Sequence, residues 1–385
     1  MAFISLGIID KNLIIILIGC IVCFLNRLLN QYEGSLLFNN IILTVICISI
    51  SRFLTFIPFI IVKVRSRRHK NNSNNLLTQL VKKPSDKLYV ENIKGKWGLI
   101  ILSAIIFFLQ LFFLVLTFKI ATNSWIWYIL IASIFYYFIF RVNLYKHHYL
   151  SAIIILIIGL IIDLVSENLQ NDISTNFLYL SLKFLKEIFF SLYNVLAKYV
   201  MEKKYVSIYE FSFYVGLISL ILSGILIIFD YYFFKLDNYE QFYQNFNVVE
   251  LLVILGVIIT QLGINLTTLF ATKNNSPCHV FIIFVFGQFA YYIVDSSVII
   301  ICLVFILFLS LVFNEIIELN FCGLSFNTKR NIIRRAKIEE DLIFKKDEIV
   351  KENIEEGNYI IELVNEDSYT KSFRKSNRKS NRKSY

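Results

Sequence analysis

The sequence predicts an all-α polytopic membrane protein, on three grounds: composition, the length of its apolar blocks, and the placement of its charge. Of 385 residues, 57% are hydrophobic and only 17% charged, against about 45–50% and about 25% in soluble globular chains. Mean hydropathy is +0.65, and 37 Phe with 22 Tyr make the excess aromatic as well as aliphatic. The apolar blocks are about 20 residues long, enough to cross a hydrocarbon core of roughly 30 Å at about 1.5 Å per helical residue. Lys and Arg lie between the blocks and in the tail, so the net charge of +10 reads as membrane orientation and not as nucleic-acid binding. The runs are continuous, unlike the alternating strands of an outer-membrane barrel. With 3 Pro and 13 Gly, collagen-like and linker architectures are excluded.

Ten transmembrane helices are expected, at residues 12–30, 36–62, 97–118, 125–141, 150–165, 177–201, 211–234, 249–271, 278–294 and 296–317. The first begins late and ends in Asn26, Arg27 and Asn30 with no small-residue cleavage site, unlike a signal peptide. The stretch after the second span carries about nine basic and two acidic residues, and RVNLYKHHY after the fourth and EKKY after the sixth are also basic. The alternate loops, SENLQNDISTN, FKLDNYEQFYQNFNVVE and VDSS, are neutral to acidic. This asymmetry places both termini in the cytosol. The two Asn-Asn-Ser sequons, at Asn71 and Asn274, fall on the cytosolic side, where no glycosylation occurs. The expected organisation is a cytosolic N-terminus at 1–11, a five-helix repeat at 12–165 with a basic loop at 64–96, a second repeat at 166–317, and a charged cytosolic tail at 318–385.

Five spans per half make the halves inverted relative to one another. Two windows hint at the repeat: IATNSWIWYILIASIFYYFIF opens the fourth span and TKNNSPCHVFIIFVFGQFAYYIV the ninth. Each has Asn-Ser ahead of the helix and then an aromatic pair, Tyr136–Tyr137 or Tyr291–Tyr292. Ser276 as N-cap with Pro277 at the first helical position is a sound helix start.

Polar side chains inside these spans are the candidate site, since such groups are costly in lipid and normally face a cavity or a partner. The sixth span carries Lys183, Lys186, Glu187, Ser191, Asn194 and Lys198 at steps of three to four residues, on one face. The second gives Asn40, Thr44, Ser51 and Thr55 with Arg52 beside them, the eighth Gln261, Asn265, Thr268 and Thr272, and the ninth Gln288, Tyr291, Tyr292 and Asp295. Four wet faces imply an aqueous path between the helices. Local alternatives stand beside each member. Lys198 and Asp295 lie near span ends and can snorkel, Lys183 and Glu187 have ion-pair spacing, and Gln261 and Asn265 suit interhelical hydrogen bonds of about 0.6 kcal/mol each. Arg27, His147 and His148 read as interfacial residues. The six cysteines lie mostly in apolar runs and read as small hydrophobes, not metal ligands. HExxH, GxSxG and Walker A signatures are absent, so no catalytic residue, metal or cofactor is expected and the chain does not read as an enzyme.

Three stretches resemble the drug/metabolite transporter superfamily, nearest its nucleotide-sugar-transporter-like, EamA-like and solute carrier family 35 F-type branch. They are HHYLSAIIILIIGLIID at the fifth span, SLYNVLAKYVMEKKYVSIYEFSFY at the sixth-to-seventh hairpin, and SPCHVFIIFVFGQFAYYI at the start of the ninth. The resemblance implies two inverted five-helix bundles around a central cavity and alternating access without ATP. It also implies that Tyr193, Asn194 and Lys198 are cavity positions. The Gly-Ala-Leu-Asn-Lys of GDP-mannose transporters is missing, as is the Glu-Lys of the UDP-galactose and CMP-sialate type, so no named nucleotide sugar is implied.

The expected function is a secondary transporter for a polar, anionic organic solute. Its substrate-binding candidates are Arg52, Lys183, Lys186, Glu187, Tyr193, Asn194, Lys198, Gln261, Asn265, Gln288 and Tyr292, with Arg52, Lys186 and Lys198 as countercharges. The alternative is a membrane receptor or assembly scaffold whose polar stripes knit helices together. Expected partners are the solute and membrane lipid, with a homodimer left open and no nucleic acid. The expected location is an endomembrane (Golgi, ER or vacuole) in preference to the plasma membrane. The tail ends in RKSNRKSNRKSY, a basic repeat attracted to anionic leaflets.

Overall fold

Apolar runs with no water to satisfy their backbone must close their hydrogen bonds internally, so they become helices. A computed structural model describes residues 4–6, 13–30, 41–73, 95–118, 127–142, 144–167, 173–230, 232, 247–292, 297–319, 328 and 331–335. Along this chain run β1 (Ile4–Leu6), α1 (Leu13–Asn30), α2 (Ile41–Phe53), α3 (Phe56–Ser73), α4 (Lys96–Phe118), α5 (Tyr128–Phe140), α6 (Lys146–Glu167) and α7 (Ile173–Lys203). They are followed by α8 (Ile208–Phe229), α9 (Val248–Asn274), a 3₁₀ turn (Pro277–His279), α10 (Val280–Tyr292), α11 (Ser297–Phe313) and β2 (Ile317–Leu319). Four stretches are long and apolar enough to cross a membrane: Ile42–Arg65, Lys96–Leu114, Ile208–Phe229 and Val248–Asn274. Five shorter apolar helices accompany them. At 31 residues α7 has the length, but Lys183, Lys186, Glu187 and Lys198 make it the polar helix of the set.

Helix boundaries follow local chemistry. The Ser207 side chain accepts from the Glu210 N–H at 3.1 Å to start α8, and Asn247 Oδ1 accepts from the Glu250 N–H at 2.9 Å to start α9. Ser276 and Pro277 begin the 3₁₀ turn as expected, although the Ser276 hydroxyl pairs with His279 Nδ1 and not with a backbone N–H.

The expected second span, 36–62, is broken in the middle. Pro58 has no N–H to give to the Leu54 carbonyl and its ring crowds that group. The chain responds one turn earlier: Ile57 N–H bonds Leu54 O at 3.2 Å, and the Thr55 hydroxyl donates to Arg52 O at 2.6 Å. α2 therefore ends at Phe53, leaving Arg52 at a helix terminus. Phe53, Phe56 and Phe59 brace the break against Phe213 of α8, with ring centroids 5.7–6.1 Å apart. Gly216, one turn along α8, lies flat on the α2 backbone: a Cβ there would sit 2.4 Å from Phe53 N and 2.6 Å from Arg52 C. Only glycine permits that approach.

Three large apolar cores, with a small fourth at Cys47 and Val257 between α2 and α9, hold the helical body among the described residues. The first joins α2, α4, α7, α8 and α9 through Val45, Phe107, Tyr193, Phe211 and Leu269. A second joins α5, α6, α7, α10 and α11 through Tyr128, Ile155, Phe190, Phe281 and Leu303. The third lays α1 into α9 and α10 through Ile16, Cys20, Cys23, Ile264 and Ile283.

The two ends of this body meet in a short antiparallel ribbon that an all-α expectation misses. β1 pairs β2 with Ile4 opposite Leu319, Ser5 opposite Glu318 and Leu6 opposite Ile317. Strands of three residues carry too little period-two pattern to be read from sequence. Residues 329–385 form a separate unit, of which 331–335 are helical. The rest of the tail, the loop from 74 to 94 and Asp295 lie outside the described residues.

Candidate functional site

Arg52 is the centre of the site. The break at Pro58 and the close seat of α8 place its guanidinium 3.8 Å from the centroid of the Phe107 ring on α4 and 4.9 Å from that of Tyr193 on α7. Its Nη1 donates to the Tyr193 hydroxyl. The residue is 6% exposed, and its Nε has no hydrogen-bond partner. No carboxylate lies within ion-pair distance of it among the described residues. A charged side chain at a helix centre in lipid costs about 2.5–3.5 kcal/mol. A cation–π contact returns about 0.5–2 kcal/mol and a hydrogen bond to a charged group about 1.5–3 kcal/mol. Those contacts offset most of the cost, so the guanidinium is held without an acid.

Beside Arg52 is a cavity of about 100 Å³ walled by α1, α2, α4, α7, α9 and α10. Its charged lining consists of Arg52 and Arg27, with no acidic residue on its walls among those described. Amides and hydroxyls complete the polar part: Asn26, Thr44, Ser51, Gln110, Asn194, Gln261, Asn265 and Thr268. Phe107, Phe190 and Phe284 supply aromatic faces.

The expected candidates divide on inspection. Arg52, Asn194, Gln261 and Asn265 line the cavity, and Tyr193 stands behind Arg52 and orients it. Gln261 also donates to Asn26 Oδ1 at 3.0 Å, Asn265 Nδ2 to Ser212 Oγ at 2.6 Å, and Asn194 Nδ2 to Phe190 O at 2.9 Å. Lys183, Lys186, Glu187 and Gln288 are buried but are not on the cavity wall. Lys186 Nζ lies 3.4 Å from Glu187 Oε1, so its charge is answered within the protein. The Tyr292 side chain lies outside the described residues.

Lys198 is a correction. Its ammonium donates to the carbonyls of Thr272, Lys273 and Asn275 at 2.8–3.2 Å and lies 2.7 Å from Glu202. Those carbonyls end α9 and have no intrahelical donor, and a cation suits that end of the dipole. Lys198 is thus a clamp between α7 and α9 and not a countercharge in the cavity.

Two cavity residues escape the stripe argument. Arg27 sits near a span end and reads as an anchor, yet it faces inward beside Cys23, itself on the wall with Cys20 a turn before it and both thiols free. Gln110 is a lone amide within FFLQLFF; its isolation in an apolar run was the available signal. His147 and His148 reach Glu315 at 3.1 and 3.9 Å beside the ribbon. These three side chains form a group of metal-ligand types. The Tyr145 N–H donates to His148 Nδ1 at 3.2 Å, which leaves the proton of a neutral ring on Nε2, the atom a metal would need bare.

No protein-family model matches the chain, and no curated protein matches it.

Proposed function

We propose that this chain is a secondary transporter that carries a polar organic anion by alternating access, built as ten spans in two inverted halves like the drug/metabolite transporters it resembles. The single observation behind this is the buried Arg52 guanidinium on a cavity wall that carries two arginines and no acid among the described residues. A site so charged favours an anion and repels a cation.

Two features support the wider arrangement. The β1–β2 ribbon brings the start of α1 and the end of α11 together, which fits an even number of crossings and both termini on one side, the cytosolic one by the Lys and Arg bias. The polar contacts between helix ends cluster where that bias puts the cytosol: Lys96–Glu210 at 2.6 Å between α4 and α8, the Lys198 clamp, and His147–Glu315. Arg27, Thr44 and Gln110 lie toward the opposite ends of their helices. The conformation is therefore one closed to the cytosol, in an endomembrane by our reading.

The scaffold alternative has its own support: Lys198, Asn26–Thr260 and Asn265–Ser212 knit neighbouring helices. Flux separates the two. Purified protein in proteoliposomes should show saturable uptake of organic dianions such as succinate or tartrate, and none of choline. A sealed vesicle with correctly folded protein and no flux of any anion would favour the scaffold.

A further inference from the structure

Three residues of the cavity wall each carry a buried polar atom without a partner: Arg52 Nε, Gln110 Oε1 and Asn265 Oδ1. The residues that carry them are 4–6% exposed, so bulk water does not satisfy them. An unsatisfied buried polar atom is costly, and native structures rarely leave one without a reason. These three are also tied together by the packing. Gln110 is one turn beyond Phe107, the ring that covers Arg52, and so shares its face of α4. Asn265 is held by Ser212 of α8, one turn before Gly216, on which the Arg52 backbone rests. One packed arrangement therefore brings a guanidinium and two amides to the wall of the same cavity.

We infer that the solute is a small organic anion bearing hydroxyl groups, with its charged group at Arg52 and its hydroxyls on the side chains of Gln110 and Asn265. This rests on the anion reading above and adds to it a specificity that charge alone does not require. A guanidinium edge takes a carboxylate or phosphate oxygen. A hydroxyl both donates and accepts, so it satisfies an amide whichever end is presented. An apolar anion would leave both amides bare, and sites built around a hydroxyl reject the analogue that lacks it.

Succinate, malate and tartrate test the inference, because they share a skeleton and two carboxylates and differ in carrying none, one and two hydroxyls. Their half-saturating concentrations would be measured by thermal-shift titration of the purified full chain in nanodiscs. The expectation is about five-fold or more tighter binding per hydroxyl, and a tartrate-over-succinate ratio that collapses toward one in Gln110→Met. Asn265→Leu serves as a second, independent variant. Equal binding of all three acids would overturn the hydroxyl inference and leave the anion reading standing. A full ratio retained in both variants would also overturn it, by placing the hydroxyl contacts elsewhere. Failure of all three acids to bind, alongside binding of choline, would instead remove the anion reading itself.

Discussion

Gly216→Ala is a one-atom change aimed at the contact that sets Arg52 in place. The new Cβ would lie 2.4 Å from Phe53 N and 2.6 Å from Arg52 C, where ordinary contact begins at 3.4 Å. The added methyl is about 1 Å too close, and the atoms it meets are backbone, which cannot swing aside as a side-chain tip can. α2 and α8 must separate or the break after Phe53 must shift. Overpacking of this kind costs about 1–3 kcal/mol, and it displaces the guanidinium from Phe107 and Tyr193 by a comparable distance. Gly224 supplies the control, because it lies two turns along the same helix with nothing within 4 Å of its added Cβ. There, alanine gains helix propensity of about 1 kcal/mol. Thermal unfolding of the two variants in the same detergent, with anion uptake in proteoliposomes, should move in opposite directions for stability and fall only for Gly216→Ala. Equal stability and equal uptake in both would refute the packing account of how Arg52 is positioned.

Lys198→Met should lower stability by about 2–4 kcal/mol, seen as a lower unfolding temperature, because three carbonyls at the end of α9 lose their donor; the preference for anions over cations should be unchanged. Glu210→Gln removes the charge from a partly exposed pair with Lys96 and should cost at most about 1 kcal/mol in the same melt, since the helix cap there uses the Glu210 backbone N–H. Pro58→Ala restores a donor for the Leu54 carbonyl and should straighten the join between α2 and α3, with stability held or raised. Uptake should nonetheless drop, because Arg52 would turn with the helix; unaltered uptake would show that the break has no part in placing it.

The helical class and the order of apolar stretches are legible in the sequence because burial in lipid demands continuous apolar runs, a signal 20 residues long. Breaks inside a run are less visible. Pro58 was in plain view, but its effect on Arg52 depends on the turn before it, where Ile57 takes the Leu54 carbonyl and the Thr55 hydroxyl that of Arg52. Period-based stripes identified Arg52, Asn194, Gln261 and Asn265 and equally Lys186 and Lys198, because spacing along one helix cannot say whether a charge faces a cavity, an adjacent acid or the end of a neighbouring helix. For Lys198 that distinction rests on a tertiary contact, the last carbonyls of α9 around its ammonium, and for Lys186 on a side-chain conformation that turns it to Glu187, the next residue in the chain. Arg27 and Gln110 belong to no stripe, so only the packing of α1 and α4 reveals them.

The central claim is that an uncompensated Arg52 gives the cavity its preference for anions, and the most direct measurement is charge selectivity of uptake by wild type, Arg52→Lys and Arg52→Met. Saturable dianion uptake into proteoliposomes, with choline as the cationic comparison, should fall about ten-fold or more in Arg52→Met. Part of it should survive in Arg52→Lys, which keeps the charge and loses the flat edge. Dianion uptake in Arg52→Met equal to that of wild type, in protein of unchanged folding, would contradict the account.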